Sequence, residues 1–156
     1  MNSVENIIGE ICKIVLPIPE ESYLGNNNSS VAVCTLSSIK LLKNIANSDL
    51  LHHVSIVGRL LTENKGIDAI VKYSNQNKNL KTIIICGKEV WGHKAGHSLL
   101  QLHKNGIDVY GKIIGSISPD PHLSVSEDEV HFFQHNIKLI NLINETELDV
   151  IKQKFF

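Results

Sequence analysis

The run Ile83-Ile84-Ile85-Cys86, closed by Gly87, constrains this chain more than any other feature. It is too short for a helix and apolar at every position. Such a run fits a strand covered on both faces, as the strands of parallel sheets are. Downstream, Gly87 and Gly92 mark a turn, and Ala95, Leu99 and Leu102 recur at helical spacing until Asn105-Gly106. Lys81 to Gly106 therefore predicts strand, loop, helix. In an open α/β sheet, ligands sit at the loops leaving the carboxyl ends of strands. This loop carries Lys88, Glu89, Trp91 and His93.

The rest of the chain repeats that alternation. Val4 to Val15 places Ile7, Ile8, Ile11 and Ile14-Val15 at helical spacing, and the Pro- and Asn-rich LPIPEESYLGNNNSS reads as irregular surface chain. Val31 to Leu36 is a second strand, and Ser37-Ser38 is placed to cap a helix over Ile39 to Ala46. His52 to Gly58 is a third strand. Thr62-Glu63-Asn64 opens a helix reaching about Ser74, with Gly66 in its first turn as a close-approach point or a tolerated glycine. The helix after Gly92 is expected from about His93 to Lys104. Ile107 to Ile114 reads as a short hairpin around Gly111, and SISPDPHLS as a loop. Ser126 with Glu129 forms a capping box for a helix to about Asn136; Lys138 to Ile143 is a last strand and Glu145 to Lys154 a last helix. Strands alternating with helices imply an α/β fold, Rossmann-like, with a mostly parallel sheet and helices on both faces. No internal repeat is visible, and 156 residues fit a single domain, 1–156.

Bulk composition narrows the function classes. A formal net charge of -1 gives no footprint for nucleic acid or an anionic membrane. Cys12, Cys34 and Cys86 are too scattered for a disulfide framework or a CxxC zinc site, which fits a reducing cytoplasm. No apolar run approaches the roughly 18–20 residues of a spanning helix, and the N-terminus lacks a signal-peptide core. There is no GxSxG, P-loop or full GxGxxG.

His93 and His97, at helical spacing, are expected on one face of a helix start, where Glu89 or Cys86 would complete a zinc site. Similar pairs, His52-His53 and His131 with His135, show how readily such spacing arises among eight histidines. A single histidine flanked by Gly92 and Gly96 also suits a cobalt corrin, whose ring fills four positions and leaves the protein one axial imidazole to supply. His93-x-x-Gly96 matches half of the corrinoid pattern D-x-H-x-x-G, with Trp91 in place of Asp; on that pattern alone a surface or capping histidine is the simpler reading. Glu89 is the carboxylate near enough in sequence to hold the imidazole, or else to pair with Lys88. Trp91 either stacks on a ring or fills the core edge. Cys86 reads as a small buried hydrophobe.

Read together, Cys86-Gly87-x-Glu89-Val90-x-Gly92-His93-x-x-Gly96 and Leu102-His103-x-Asn105-Gly106-Ile107-Asp108 resemble the corrinoid-carrying A subunit of tetrahydromethanopterin S-methyltransferase. Val31-Ala32-Val33-x-Thr35-Leu36, Thr62-Glu63-Asn64-x-Gly66-Ile67, Ser74-Asn75-x-Asn77, Ile113-Ile114-Gly115, and Val130-x-x-Phe133-Gln134 through Ile140-x-Leu142-Ile143 agree with it in order, covering roughly 14–150. The resemblance implies a cobamide-binding (cobalamin-type) methyl carrier of one-carbon metabolism. Cobalt would be ligated by His93 and methylated by a methyl-tetrahydropterin donor, then demethylated by an acceptor such as a thiol. A separate methyltransferase subunit would activate the donor, so the chain would be the corrinoid subunit of a methyltransferase system and not a stand-alone enzyme. The cleft would be formed by Thr35, Leu36, Thr62, Glu63, Asn64, Gly66, Cys86, Gly87, Glu89, Gly92, Gly96, His97, Ser116 and Pro121.

Three departures stand out. The family's C-terminal membrane anchor has no counterpart before Phe156, which implies a soluble, free-standing carrier with a possible homo-oligomeric state. His97 replaces a usual Gln. The loop after Gly115 reads Ser116-Ile117-Ser118-Pro119-Asp120-Pro121-His122 where the family is Ala- and Ile-rich. The alternative is a binding or regulatory domain of the same fold that has lost the corrinoid.

Overall fold

The computed structural model describes residues 22–155. The helix expected at Val4 to Val15 lies outside them. The elements are β1 (Ser22–Leu24), β2 (Val31–Cys34), α1 (Ile39–Ala46), a 3-10 turn (Asp49–His53), β3 (Ile56–Gly58), α2 (Lys65–Gln76), β4 (Thr82–Gly87), α3 (Ala95–Asn105), α4 (Glu127–Asn136), β5 (Lys138–Ile143) and α5 (Leu148–Lys152). The sheet order is β1-β3-β2-β4-β5. β3, β2, β4 and β5 run parallel, and β1 adds an antiparallel edge. The fold is the expected α/β architecture with a mostly parallel sheet.

The apolar runs are buried on both faces because helices cover both. Val33, Ile84 and Cys86 pack with Leu41, Leu42 and Ile45 of α1 and Ile151 of α5. Ala32, Cys34, Ile83 and Ile85 pack with Ile67 and Val71 of α2, Leu99 and Leu102 of α3, and Phe133 of α4. Residues on one strand thus alternate between two cores, as the period of two requires. Cys34 and Cys86 fall in different cores and are free and buried. Burial pushes the Cys34 thiol up to about 12 and that of Cys86 higher still, which removes thiolate chemistry from both.

Several element boundaries differ from the sequence expectation for local reasons. Ser22–Leu24, expected as irregular chain, pairs with β3; all three residues are exposed, so no alternation marks them. His52 and His53 lie in the 3-10 turn, whose N-cap Ser48 accepts the Leu50 N–H, and β3 begins only at Ile56. Ser38 sits at the N-cap of α1 without a side-chain cap bond; its hydroxyl accepts the N–H of Lys88 at 2.8 Å. α3 starts at Ala95, not His93, because Lys94 is left-handed at φ 49°. The 107–114 segment holds isolated bridges in place of a strand, Ile107 with Ile113 and Lys112 with His122. The last helix is confined to Leu148–Lys152, while the Ser126–Glu129 capping box is formed as expected.

The parallel strands lie in the order β3, β2, β4, β5 across the sheet. From β2 the chain first adds a strand on one side and then, at β4, on the other. A crevice opens at the carboxyl ends of strands flanking such a switch. Here the two strand ends are laced together. The Ser37 N–H donates to the Lys88 carbonyl at 3.1 Å, and the Ser37 hydroxyl donates to it at 2.8 Å. Gly87, at φ +78°, lies so near the Thr35 carbonyl that a Cβ would overlap it and crowd Ser38.

Gly87→Ala therefore combines a left-handed backbone with a backbone overlap. It is expected to lower unfolding stability by roughly 2 kcal/mol or more, read as a reduced denaturant midpoint at unchanged m-value.

Candidate functional site

Two loops from the carboxyl edge of the sheet and a segment of the α3–α4 connection meet at the His93–Glu63 pair. The β4–α3 loop carries His93, the β3–α2 loop supplies Glu63, and the 116–122 segment closes the third side. His93 Nδ1 lies 2.8 Å from Glu63 Oε2. The carboxylate can only accept, so a proton sits on Nδ1, and Nε2 is the nitrogen whose lone pair the imidazole form leaves free. Nε2 has no partner among the described residues. The His93 side chain is 52% exposed while that of Glu63 is 2% exposed, so a buried anchor holds a ring that faces outward.

Glu63 ties two loops at once. Its Oε1 accepts the Asp120 N–H at 2.9 Å, and the neighbouring Asn64 donates to the Asp120 carbonyl and carboxylate, each at 3.2 Å. Asp120 Oδ1 in turn lies 3.0 Å from His122 Nδ1. Burial raises the Glu63 pKa, but the backbone N–H groups of Glu63 and Asp120 and the His93 ring outweigh it, leaving the carboxyl below its ordinary value. The 116–118 stretch is further pinned by hydroxyls: Ser98 Oγ lies 2.6 Å from both Ser116 Oγ and Ser118 Oγ.

Glu89 is not the carboxylate that holds the imidazole, as its closeness in sequence suggests, nor does it pair with Lys88. Its Oε1 accepts the N–H of Val90 (2.8 Å) and Gly96 (3.0 Å), and its Oε2 accepts that of His97 (2.8 Å). The side chain caps α3, in the way that negative charge stabilises a helix N-terminus. Gly96 keeps this packing possible: a Cβ there would meet Glu89 Oε2, Ile143 Cδ1 and Leu36 Cδ1 at 3.0–3.1 Å. Its role is internal packing, whereas a Cβ at Gly92 would meet open space.

The two histidines do not share a helix face. His93 precedes the left-handed Lys94, and His97 Nε2 accepts the Ile117 N–H at 3.3 Å. With Cys86 buried and Glu89 capping α3, the residues considered for zinc are not brought together. Among the described residues no three His, Cys, Asp or Glu side chains converge on one point. Trp91 is 96% exposed, so it is no part of the core edge. Of the other residues expected in the cleft, Thr35, Leu36, Cys86, Gly87 and Pro121 are buried beneath the loops as framework. Thr62 Oγ1 accepts the Gly66 N–H at 2.8 Å, and a Cβ on Gly66 would strike Leu60 Cδ1, so this glycine serves loop packing. No sequence pattern singles out Asp120, Ser98 or Ser118. The contacts that bring them to the site span 57 positions for Asp120 with Glu63, and 18 and 20 for Ser98 with Ser116 and Ser118, so they leave no local signal.

The geometry suits a group needing one axial nitrogen. The His93 ring is half exposed and oriented by a buried carboxylate, and the neighbouring Gly92 faces open space. Such carboxylate–histidine pairs fix the tautomer and ring direction of metal ligands.

Comparison with known sequences gives a consistent picture. The family model MtrA, described as the A subunit of tetrahydromethanopterin S-methyltransferase, matches residues 16–155. The chain is similar to the A subunit of "Putative methyltransferase Mtx" of Methanosarcina barkeri, at 39% identity over 137 residues, covering 86% of this chain and 66% of that protein. It is also similar to the A 2 form of the tetrahydromethanopterin S-methyltransferase A subunit of Methanothermobacter thermautotrophicus, at 31% identity over 144 residues, covering 86% and 76%. For the A 1 form of Methanothermobacter marburgensis the identity is 34% over 141 residues, covering 88% and 57%. The chain thus spans just under two thirds of the length of the Mtx relative. Among the described residues, no helix is long and apolar enough to cross a membrane.

Glu63→Gln should weaken charge-assisted bonds to two loops and cost about 1.5–3 kcal/mol at neutral pH. The native carboxyl titrates below its ordinary value of 4.5, so its stabilisation is complete above that value. It is lost as pH falls through the lower folded pKa. The stability gap between wild type and variant, measured by urea unfolding, is expected to narrow as pH drops below about 4.5.

Proposed function

The chain belongs to the family of tetrahydromethanopterin S-methyltransferase A subunits, and from that premise we propose that it is a methyl carrier that holds a cobamide through His93. The observation that carries this reading is the Glu63–His93 pair at 2.8 Å, which leaves Nε2 as the free ring nitrogen at the carboxyl edge of a parallel sheet. When bound, the cobamide would supply a cobalt centre able to take a methyl group from a methyl-tetrahydropterin-type donor and yield it to an acceptor such as a thiol.

The protein's own contribution is positional. Glu63 keeps the Nδ1 proton in place and so preserves the Nε2 lone pair. Its second oxygen fixes the Asp120 N–H, which ties the 116–122 loop to the same anchor. Gly92 leaves open space beside the ligating ring, which a large flat macrocycle needs. Glu89 and Gly96 contribute indirectly, by setting where α3 starts and hence where the His93 turn stands. Thr62, Asn64, Gly66, His97 and Ser116 shape the walls, while Thr35, Leu36, Cys86, Gly87 and Pro121 are the framework behind them.

Among the described residues, no side chain at the site is arranged to activate a donor or an acceptor. Buried Cys34 and Cys86 are unsuited to nucleophilic work, and in His93 the Nδ1 is committed to Glu63 while Nε2 is the nitrogen the cobamide would take. A separate methyltransferase subunit would carry out that activation, in a cytoplasmic methyltransferase system.

His93→Ala is expected to change the visible cobalt spectrum of a bound cobamide and to weaken its retention on size exclusion by at least about tenfold, the loss of roughly 1.4 kcal/mol or more. Glu63→Gln should give an intermediate effect, of the order of tenfold, as second partners of metal ligands do. An unchanged spectrum in His93→Ala rules out axial ligation by this residue.

A further inference from the structure

On the side of the α3 N-terminus facing β5 there is a concavity. It has a volume of about 450 Å³ and is lined by Glu89, Lys94, His97, Leu100, Ile117, Asn141, Ile143 and Asn144. Its polar groups divide in an informative way, because the acceptors are engaged and the donors are not. Asn141 Oδ1 accepts the Ile143 N–H at 3.1 Å, and Asn144 Oδ1 accepts the Glu89 N–H at 3.1 Å. Both Nδ2 amides are left without a partner among the described residues. His97 Nε2 accepts the Ile117 N–H, so the ring proton is on Nδ1, a further unmatched donor. The Lys94 ammonium forms no ion pair among the described residues. The one negative charge in the lining, Glu89, is already met by three backbone N–H groups, those of Val90 in the loop and of Gly96 and His97 in α3.

Two backbone features hold these donors in place. Lys94 and Asn144 are two of the three non-glycine residues with positive φ among those described, at 49° and 73°. Left-handed backbone is disfavoured at a non-glycine residue and persists where the surroundings over-determine it. Asn144 is fixed by its bond to Glu89 and by its N–H, which donates to the Gly87 carbonyl at 2.7 Å.

We propose that this concavity is a binding site for an oxyanion, phosphate or carboxylate, received by Lys94 Nζ, the His97 Nδ1–H and the Nδ2 groups of Asn141 and Asn144. A set of four donors, one of them cationic, with its acceptors occupied, matches a ligand that only accepts. The anion has two possible sources: a free anion or the anionic end of a small substrate, and the phosphodiester of a cobamide's nucleotide. The second source rests on the carrier reading above.

Asn141→Asp is the diagnostic variant. It keeps the Oδ1 acceptor for Ile143 and replaces the Nδ2 donor with a negative oxygen of the same shape. Lys94→Asn is the companion, since Asn tolerates the left-handed backbone and removes the charge. The purified full chain is titrated with inorganic phosphate and with acetate, following the side-chain amide signals of Asn141 and Asn144 and the His97 ring by NMR. Saturable shifts, weakened about tenfold or more by Asn141→Asp, are expected for a free anion. In parallel, cobalamin, which carries the phosphodiester, is compared with cobinamide, which lacks it. If the anion is the cofactor's own, Asn141→Asp and Lys94→Asn each weaken cobalamin about tenfold and leave cobinamide unchanged. Failure of both corrinoids to bind, with phosphate or acetate still saturating the site, removes the carrier reading and leaves the anion site standing. No saturable shift with either anion, together with no effect of the variants that separates cobalamin from cobinamide, overturns the proposal.

Discussion

The close approach of two strand ends governs what this site can be. Gly87 closes β4 against the Thr35 carbonyl, and the bonds from Ser37 and Ser38 to Lys88 hold the two connections side by side. Only a residue without a Cβ can stand there, and only a left-handed one turns the chain away as it does. Everything downstream in the loop inherits its position from that contact. Asn144 extends the same arrangement to β5, through bonds to the Gly87 carbonyl and the Glu89 N–H. The carboxyl edges of β2, β4 and β5 thereby form one rigid rim. A ring set on such a rim is held more accurately than one on a free loop.

Two carboxylates do different work on this rim. Glu89 meets the start of α3 and replaces the missing side-chain cap, which lets the helix begin at Ala95 behind a left-handed Lys94. Glu63 is buried, and a buried carboxylate persists only when its oxygens are satisfied. It meets that demand with His93 on one oxygen and Asp120 on the other. The demand is what couples the imidazole to the 116–122 loop: the loop cannot leave without exposing an acceptor that burial makes costly to abandon. Asn64, next in the chain, reinforces the link through its own bonds to Asp120.

The fold is legible in the amino-acid sequence because its strongest signals are short, fully apolar runs, and a run buried on both faces has few other solutions. The capping box at Ser126 and the turn chemistry at Gly87 and Gly92 are equally local. What stays hidden is long-range. Glu89 stands four positions from His93 and looks like its partner, yet Glu63, thirty positions away, fills that role. Strand order decides this: β3 and β4 are not neighbours, but β2 between them ends early enough for their loops to meet across it. The short edge strand at Ser22–Leu24 is hidden for a different reason. With all its residues exposed and only one ladder to satisfy, it carries no hydrophobic alternation.

The spacing of His93 and His97 shows how a left-handed residue can change chemistry without changing sequence distance. Had the helix run through Lys94, the two rings would have stacked on one face as a metal-binding pair. Instead the turn sends them to different partners. His93 meets a carboxylate at Nδ1 and keeps a lone pair at Nε2; His97 meets a backbone N–H at Nε2 and keeps a proton at Nδ1. One ring is therefore left able to give electrons to a metal, the other able only to donate a hydrogen bond. The distinction follows from which nitrogen the surrounding loops engage, and those loops are placed by the rim that Gly87 closes.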